Sequence, residues 1–145
     1  MCIYGFSESL KDLLTDLGYN IEAFSKEAGV GRSDVYHWLK GDYNPSPRSL
    51  IRIAEKYNVS VDYMFGFSDR KELIFKKSAL TFYERFTRSR MLAGFSCYKI
   101  WQECGIGQAA MSRWKTLGCI PETEVFLKLA KCLGCTLDYL LGIGE

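Results

Sequence analysis

The chain has 145 residues, 48% of them hydrophobic and 25% charged, with a formal net charge of +2. That is a globular composition, long enough for one ordinary domain or two small ones, and no apolar run approaches the ~20 residues that span a bilayer. The opening Met1-Cys2-Ile3-Tyr4-Gly5-Phe6 lacks a charged segment and a long apolar core, so no secretory leader and no membrane partner are expected, and the expected location is cytoplasmic.

Helix signals dominate from the start. Ser9-Leu10-Lys11-Asp12 has capping-box spacing. Leu10, Leu13, Leu14 and Leu17 form the i, i+3, i+4, i+7 stripe of an amphipathic helix that Gly18 ends. Asn20 can cap a second helix, Ile21 to Ala28, closed by Gly29. After Gly29-Val30-Gly31 comes a third, Arg32 to Lys40, with Val35, Trp38 and Leu39 on one face and Arg32, Ser33, Tyr36 and His37 on the other. Gly41 stops it, and Asp42-Tyr43-Asn44-Pro45 reads as a loop. Ser46 followed by Pro47 gives an N-cap and a first-position proline to a fourth helix, with Leu50, Ile51, Ala54 and Tyr57 inward. Ser60 caps a short fifth helix that runs out at Gly66.

A junction over 68–79 follows, basic through Arg70, Lys71, Lys76 and Lys77 and sticky through Leu73, Ile74 and Phe75. It lacks the Gly/Ser content of a flexible tether and is expected to be ordered. Ser78 can cap a helix from Leu80 to Ala93 whose exposed side carries Arg85, Arg88 and Arg90. Ser96 caps Cys97 to Cys104, Gly105-Ile106-Gly107 turns the chain, and Gln108 to Lys115 follows with Trp114 as its anchor. Glu122 to Leu133 points Phe126, Leu129 and Ala130 inward, and Thr136 caps a last helix, Leu137 to Leu141.

The two halves are copies. A shift of 76 residues places Gly18 on Gly94, Gly29 on Gly105, Trp38 on Trp114, Pro45 on Pro121 and Ala54 on Ala130 without a gap. It also sets Asp62-Tyr63-Met64-Phe65-Gly66 on Asp138-Tyr139-Leu140-Leu141-Gly142. Matched positions are turn glycines, a proline and core residues, which shape the backbone, whereas exposed positions differ. The expected fold is all-α: two tandem five-helix modules, 1–67 and 80–145. Residues 1–70 carry 8 basic and 10 acidic side chains and residues 71–145 carry 11 and 7, so any attraction to a polyanion sits in the second half.

Several chemistries find no support. One histidine, no glycine-rich phosphate loop and no paired carboxylates leave no catalytic constellation, so an enzyme is not expected. Six cysteines raise the question of disulfides, but a cytoplasmic protein argues against them. Cys132-Leu133-Gly134-Cys135 has metal-knuckle or redox-pair spacing, yet no histidine lies in that half to complete a zinc site, and the reading as structural thiols is preferred. No cofactor or small-molecule effector is indicated.

Each half resembles the helix-turn-helix module of the phage repressor, Cro and xenobiotic-response-element family, the lambda-repressor-like fold. The resemblance rests on Gly29-Val30, Asn44-Pro45-Ser46 and Leu50 to Tyr63 in the first half. In the second it rests on Phe126-Leu127-Lys128-Leu129-Ala130-Lys131-Cys132-Leu133-Gly134-Cys135-Thr136-Leu137-Asp138-Tyr139-Leu140-Leu141-Gly142. It implies sequence-specific binding of double-stranded DNA by a transcriptional regulator, a repressor of phage or mobile-element type, with the third helix of each module in the major groove. By position the implied base readers are Arg32, Ser33 and His37, then Gln108, Ala109 and Arg113; Tyr36 and Ser112 reach a base or a phosphate, and Asn20 and Ser96 meet phosphates.

The sequence departs from the family at Ile21 and Cys97, where a backbone-contacting glutamine is usual. It departs also at Gly31 and Gly107, where Ser or Thr usually caps the reading helix, and at Trp101, where a small residue is usual. Family members usually carry one module and form homodimers, so two fused modules suggest either a built-in pair or a second, more basic module that binds DNA while the first has become the dimerisation surface of a homodimer. A second reading stays open: a protein-interaction or dimerisation module that keeps the fold and has lost DNA binding, suggested by the acidic first half, the low net charge, and Ile21 and Cys97 where polar phosphate contacts are expected; acidic side chains such as Asp34 and Asp42 dominating the recognition faces would decide for it.

Overall fold

All regular structure in the computed structural model, which describes residues 5–144, is helical. The chain divides into two units, Met1–Phe75 and Lys76–Glu145. Unit 1 holds α1 (Phe6–Leu17), α2 (Ile21–Ala28), α3 (Arg32–Lys40), α4 (Pro47–Tyr57) and α5 (Val61–Met64). Unit 2 holds α6 (Phe82–Leu92), α7 (Cys97–Cys104), α8 (Gln108–Thr116), α9 (Thr123–Leu133) and α10 (Leu137–Leu141). The starts of α2, α3, α4 and α5 (Ile21, Arg32, Pro47, Val61) and of α7, α8, α9 and α10 (Cys97, Gln108, Thr123, Leu137) are 76 residues apart in every case.

The caps explain the boundaries. Asn20, Ser46, Ser60, Ser96 and Thr136 each accept a hydrogen bond from a first-turn backbone N–H of the helix they precede, which satisfies a donor the helix itself leaves open. Gly18 closes α1 and Gly29 closes α2 in the left-handed conformation, with φ of +69° and +71°, where a Cβ would be strained.

Three helix starts differ from the sequence reading, the slightest being α9, which begins at Thr123 with Glu122 just ahead of it. α1 begins at Phe6 behind Gly5, so Ser9 lies inside the helix instead of capping it. The early start lets Phe6 join the core, which outweighs the local capping signal. α6 begins at Phe82, not Leu80. Thr81, not Ser78, is its cap, because Thr81 and Glu84 bond reciprocally: Glu84 N–H donates to Thr81 Oγ1 and Thr81 N–H to Glu84 Oε1.

Unit 1 packs α1 and α2 on α3 around Phe6, Leu10, Phe24, Val35, Trp38, Leu50 and Ile53. Phe6 meets the edge of Trp38 with ring centroids 6.4 Å apart and lies 5.2 Å from Phe65. In α4 the expected inner residues Ile51 and Tyr57 are only half-buried, and Ile53 takes the deep position instead. Unit 2 centres on Trp114, which presents an edge to both Phe82 and Phe86 at 5.2 Å, while Phe82 also meets Phe126 at 5.0 Å.

The stretch read as a junction is tied down at both ends. Ser60 N–H donates to Lys71 O, Leu73 N–H donates to Asn58 O, Val59 and Glu72 form an isolated antiparallel bridge, and Lys71 pairs with Asp16 at 3.1 Å, all within unit 1. Lys76 and Ser78 donate to Ile143 O and Gly142 O within unit 2.

Two expectations about unit 2 are corrected. Arg85 is not on the exposed side of α6: it is 8% exposed, and its guanidinium donates to Leu140 O at 3.1 Å and to Leu80 O. The carbonyls left open at the ends of short elements offer an interior partner that a sequence pattern does not register. Nor are all the cysteines thiols. Cys104 at the end of α7 and Cys132 in the last turn of α9 are joined as a disulfide, Cα to Cα 6.6 Å. The pair spans two helices, so the Cys132–Cys135 spacing gave no sign of it. Among the described residues no group of His, Cys, Asp and Glu is arranged to hold a metal ion, and no helix is long and apolar enough to cross a membrane.

Candidate nucleic-acid interface

α3 is held by its apolar side and displays its start. Val35 and Trp38 are buried, Trp38 to 2% exposure, while Arg32, Ser33, Asp34 and Tyr36 are exposed and His37 is half-buried. Gly31 stands ahead of α3 in extended conformation and supplies no side-chain cap. The side chain of Arg32 makes no hydrogen bond or ion pair among the described residues.

The rest of the α3 surface is engaged by the loop that leaves it. His37 Nδ1 lies 2.7 Å from Asp42 Oδ2, the imidazole stacks on Tyr43 with centroids 5.4 Å apart, and Tyr43 Oη donates to Asp34 Oδ1 at 2.7 Å. Lys40 Nζ stands 3.7 Å from Asp42 and 5.2 Å over the Tyr36 ring. Hydrogen bonding to His37, helped by Lys40, holds the Asp42 carboxyl below its usual range, and the bond to Asp34 raises Tyr43. A depressed carboxyl contributes stability above its unfolded value and loses it only as pH falls through the folded value. The latch is therefore expected to persist from pH 8 to pH 5. Ring-to-ring proton contacts between His37 and Tyr43 in NMR spectra should remain over that range in the wild type and vanish in Asp42→Ala.

This latch was missed in the sequence. Asp34 to Tyr43 and His37 to Asp42 are separated by nine and five residues, and no helical repeat links partners across a turn. Both carboxylates stay charged: Asp34, in the first turn of α3, accepts from the neutral Tyr43 hydroxyl, and the bond to His37 favours the ionised form of Asp42.

In unit 2 the same frame carries different chemistry. Met111 and Trp114 are buried; Gln108, Ala109, Ser112 and Arg113 are exposed. Ala110 and Arg113 occupy the positions of Asp34 and His37, and Gly118 and Cys119 those of Asp42 and Tyr43, so no latch forms. Arg113 and Gln108 side chains have no hydrogen-bond or ion-pair partner among the described residues.

Asn20 and Ser96 are exposed at the starts of α2 and α7, but their side chains are occupied as caps, accepting from Ala23 N at 2.8 Å and Lys99 N at 3.1 Å. What they leave for a phosphate is the backbone N–H set of the first turn. Trp101 could not settle where its twin Ser25 sits. Ser25 is 7% exposed, whereas Trp101 stands 51% exposed beside Tyr98.

The helix-turn-helix family profile matches residues 10–64, which run from α1 to α5 of unit 1. An uncharacterized HTH-type transcriptional regulator of Archaeoglobus fulgidus is 31% identical over 62 residues, covering 43% of this chain and 89% of that protein. The chain belongs to the helix-turn-helix family. No solved structure matches it. Within the matched span, α3 follows α2 across the Gly29-Val30-Gly31 turn and sets an exposed Arg32-Ser33 start over the buried Trp38.

Proposed function

We propose that the chain is a sequence-specific, DNA-binding transcriptional regulator of the repressor type, one that occupies its site and thereby excludes other proteins from it. The observation that carries this reading is the outward start of α3, with an exposed Ser33 and an Arg32 that has no partner among the described residues, in the segment that matches the family. On this reading residues 1–67 and 80–145 are two DNA-binding modules and 68–79 joins them. α3 and α8 enter the major groove, where an arginine can bond guanine O6 and N7 together and a glutamine can bond adenine N6 and N7. Arg32, Ser33, Gln108, Ala109 and Arg113 read bases, Tyr36 and Ser112 reach bases or phosphates, and the first turns behind Asn20 and Ser96 meet the backbone. His37 acts mainly through its bond to Asp42.

The test is selection of bound duplexes from a random pool, followed by binding measurements on the winner across a salt series. Binding should weaken steeply with salt, as counterions return to the phosphates. Arg113→Ala should weaken it by about 10- to 100-fold and relax the preference at one base position. An absence of salt-sensitive binding at low ionic strength would reject the reading. One feature favours a second reading, a protein-interaction module: Tyr98, Trp101, Leu117 and Ile120 are all exposed in unit 2. If Arg32→Ala abolishes duplex binding and Arg113→Ala leaves it untouched, unit 2 has that role.

A further inference from the structure

Five of the six cysteines stand in the sequence of unit 2. Cys104 and Cys132 are the two that are bonded, and their twin positions in unit 1 are Ala28 and Lys56. Yet α2, α3 and α4 have 8, 9 and 11 residues, and so do α7, α8 and α9. The helical frame is reached in unit 1 without a covalent tie, so the tie in unit 2 is an addition to the fold and not a condition of it.

Its position gives it leverage. Cys104 is the last residue of α7, directly ahead of the Gly105-Ile106-Gly107 turn. The loop it closes with Cys132, a separation of 28 residues, contains the whole of α8. Cross-linking removes conformational freedom from the unfolded chain, by an amount that grows with the logarithm of the loop length, and here the restrained segment is the one that carries Gln108, Ala109, Ser112 and Arg113. Cys104 is buried and Cys132 is half-buried, so Cys132 is the more accessible residue of the pair.

We propose that Cys104 and Cys132 form a reversible redox clasp that sets the rigidity of α8. The oxidant is a low-molecular-weight disulfide. The Cys132 thiolate attacks one of its sulfurs and expels a thiolate, leaving a mixed disulfide. The Cys104 thiolate then attacks Cys132 Sγ and expels the second. Two protein thiols and one small disulfide become one protein disulfide and two small thiols, with the protons passing to the departing thiolates. A reducing thiol pool runs the steps backwards. The consequence for duplex binding rests on the function proposed above; the clasp itself does not.

The test uses the full chain equilibrated against reduced and oxidised glutathione in varied ratio, quenched by alkylation and mapped by mass spectrometry, with hydrogen exchange followed on the same samples. The linked fraction should rise from near zero to near one across the series. Amide exchange in peptides from 97–116 and 123–133 should slow on the order of a hundredfold with it, while peptides from 21–57 stay unchanged. Cys104→Ala, which installs the residue unit 1 already uses, should fold and show no redox response. Linkage that never forms or never reduces in the series, a bond from Cys132 to Cys135 instead, or linkage without a change in exchange would overturn the clasp. Duplex binding measured in parallel separates the two claims: a working clasp with no binding in either state defeats the function and not the clasp.

Discussion

Trp38→Ala is expected to remove most of the stability of unit 1. The side chain is 2% exposed, meets the edge of Phe6, and sits on α3, which α1 and α2 both pack against. Truncating a buried aromatic residue costs about 3–5 kcal/mol, because the lost transfer energy is joined by the cavity left behind. At about 0.05–0.15 kcal/mol per residue, a unit of this size has a comparable total. The variant should show a collapsed urea midpoint by circular dichroism and fast exchange in peptides from 6–64.

Trp38→Phe separates the reasons. The indole Nε1–H is buried without an acceptor among the described residues, so phenylalanine forfeits volume but no hydrogen bond and should cost less than half as much. A Phe variant as damaged as the Ala variant would mean that an unseen partner of the indole N–H matters more than packing. If duplex binding falls in step with stability in both variants, Trp38 acts by holding α3 and not by touching DNA.

Gly142→Ala is the second large effect, in unit 2. Gly142 closes α10 with φ at +78°, and a Cβ there would lie 2.7 Å from Arg85 Cζ and 2.8 and 2.9 Å from its two terminal nitrogens. The guanidinium cannot swing aside freely, since it donates to Leu80 O and Leu140 O and is buried. The cost combines about 1–2 kcal/mol of left-handed strain with the loss of at least one charge-assisted hydrogen bond, about 1.5–3 kcal/mol.

Gly134→Ala is the control. It has φ at +66° but open space at the Cβ, so it should pay the strain alone. Denaturation of both variants should place Gly142→Ala roughly 2 kcal/mol or more below Gly134→Ala. Equal midpoints would show that Arg85 relocates without loss and that its position between α6 and α10 is incidental. Burial pulls the Arg85 pKa down, yet the group stays protonated in the ordinary working range, so this penalty should not change with pH.

The helices were largely legible because their punctuation is local. Asn20, Ser46, Ser60, Ser96 and Thr136 cap as their positions indicate, and the 76-residue copy makes each half a check on the other. Where local signals competed, the sequence misled: Ser9 and Ser78 carry respectable cap chemistry, but Phe6 and the Thr81–Glu84 pair gain more by extending or shifting the helix. Helical phase turned Arg32 and Ser33 outward, the family resemblance pointed by position to Gln108, Ala109, Ser112 and Arg113, and all six are exposed.

The sequence by itself determined the all-α class, the order and ends of most helices, and which face of α3 and α8 turns outward, because caps and a 3.6-residue period act between near neighbours. Only the tertiary structure decided that Arg85 serves the interior, that Asp34 and Asp42 are taken up by Tyr43 and His37, and that Cys104 bonds Cys132. Those outcomes depend on groups brought together from different elements, and the free energy of such a meeting comes from burial and geometry that no spacing along the chain encodes.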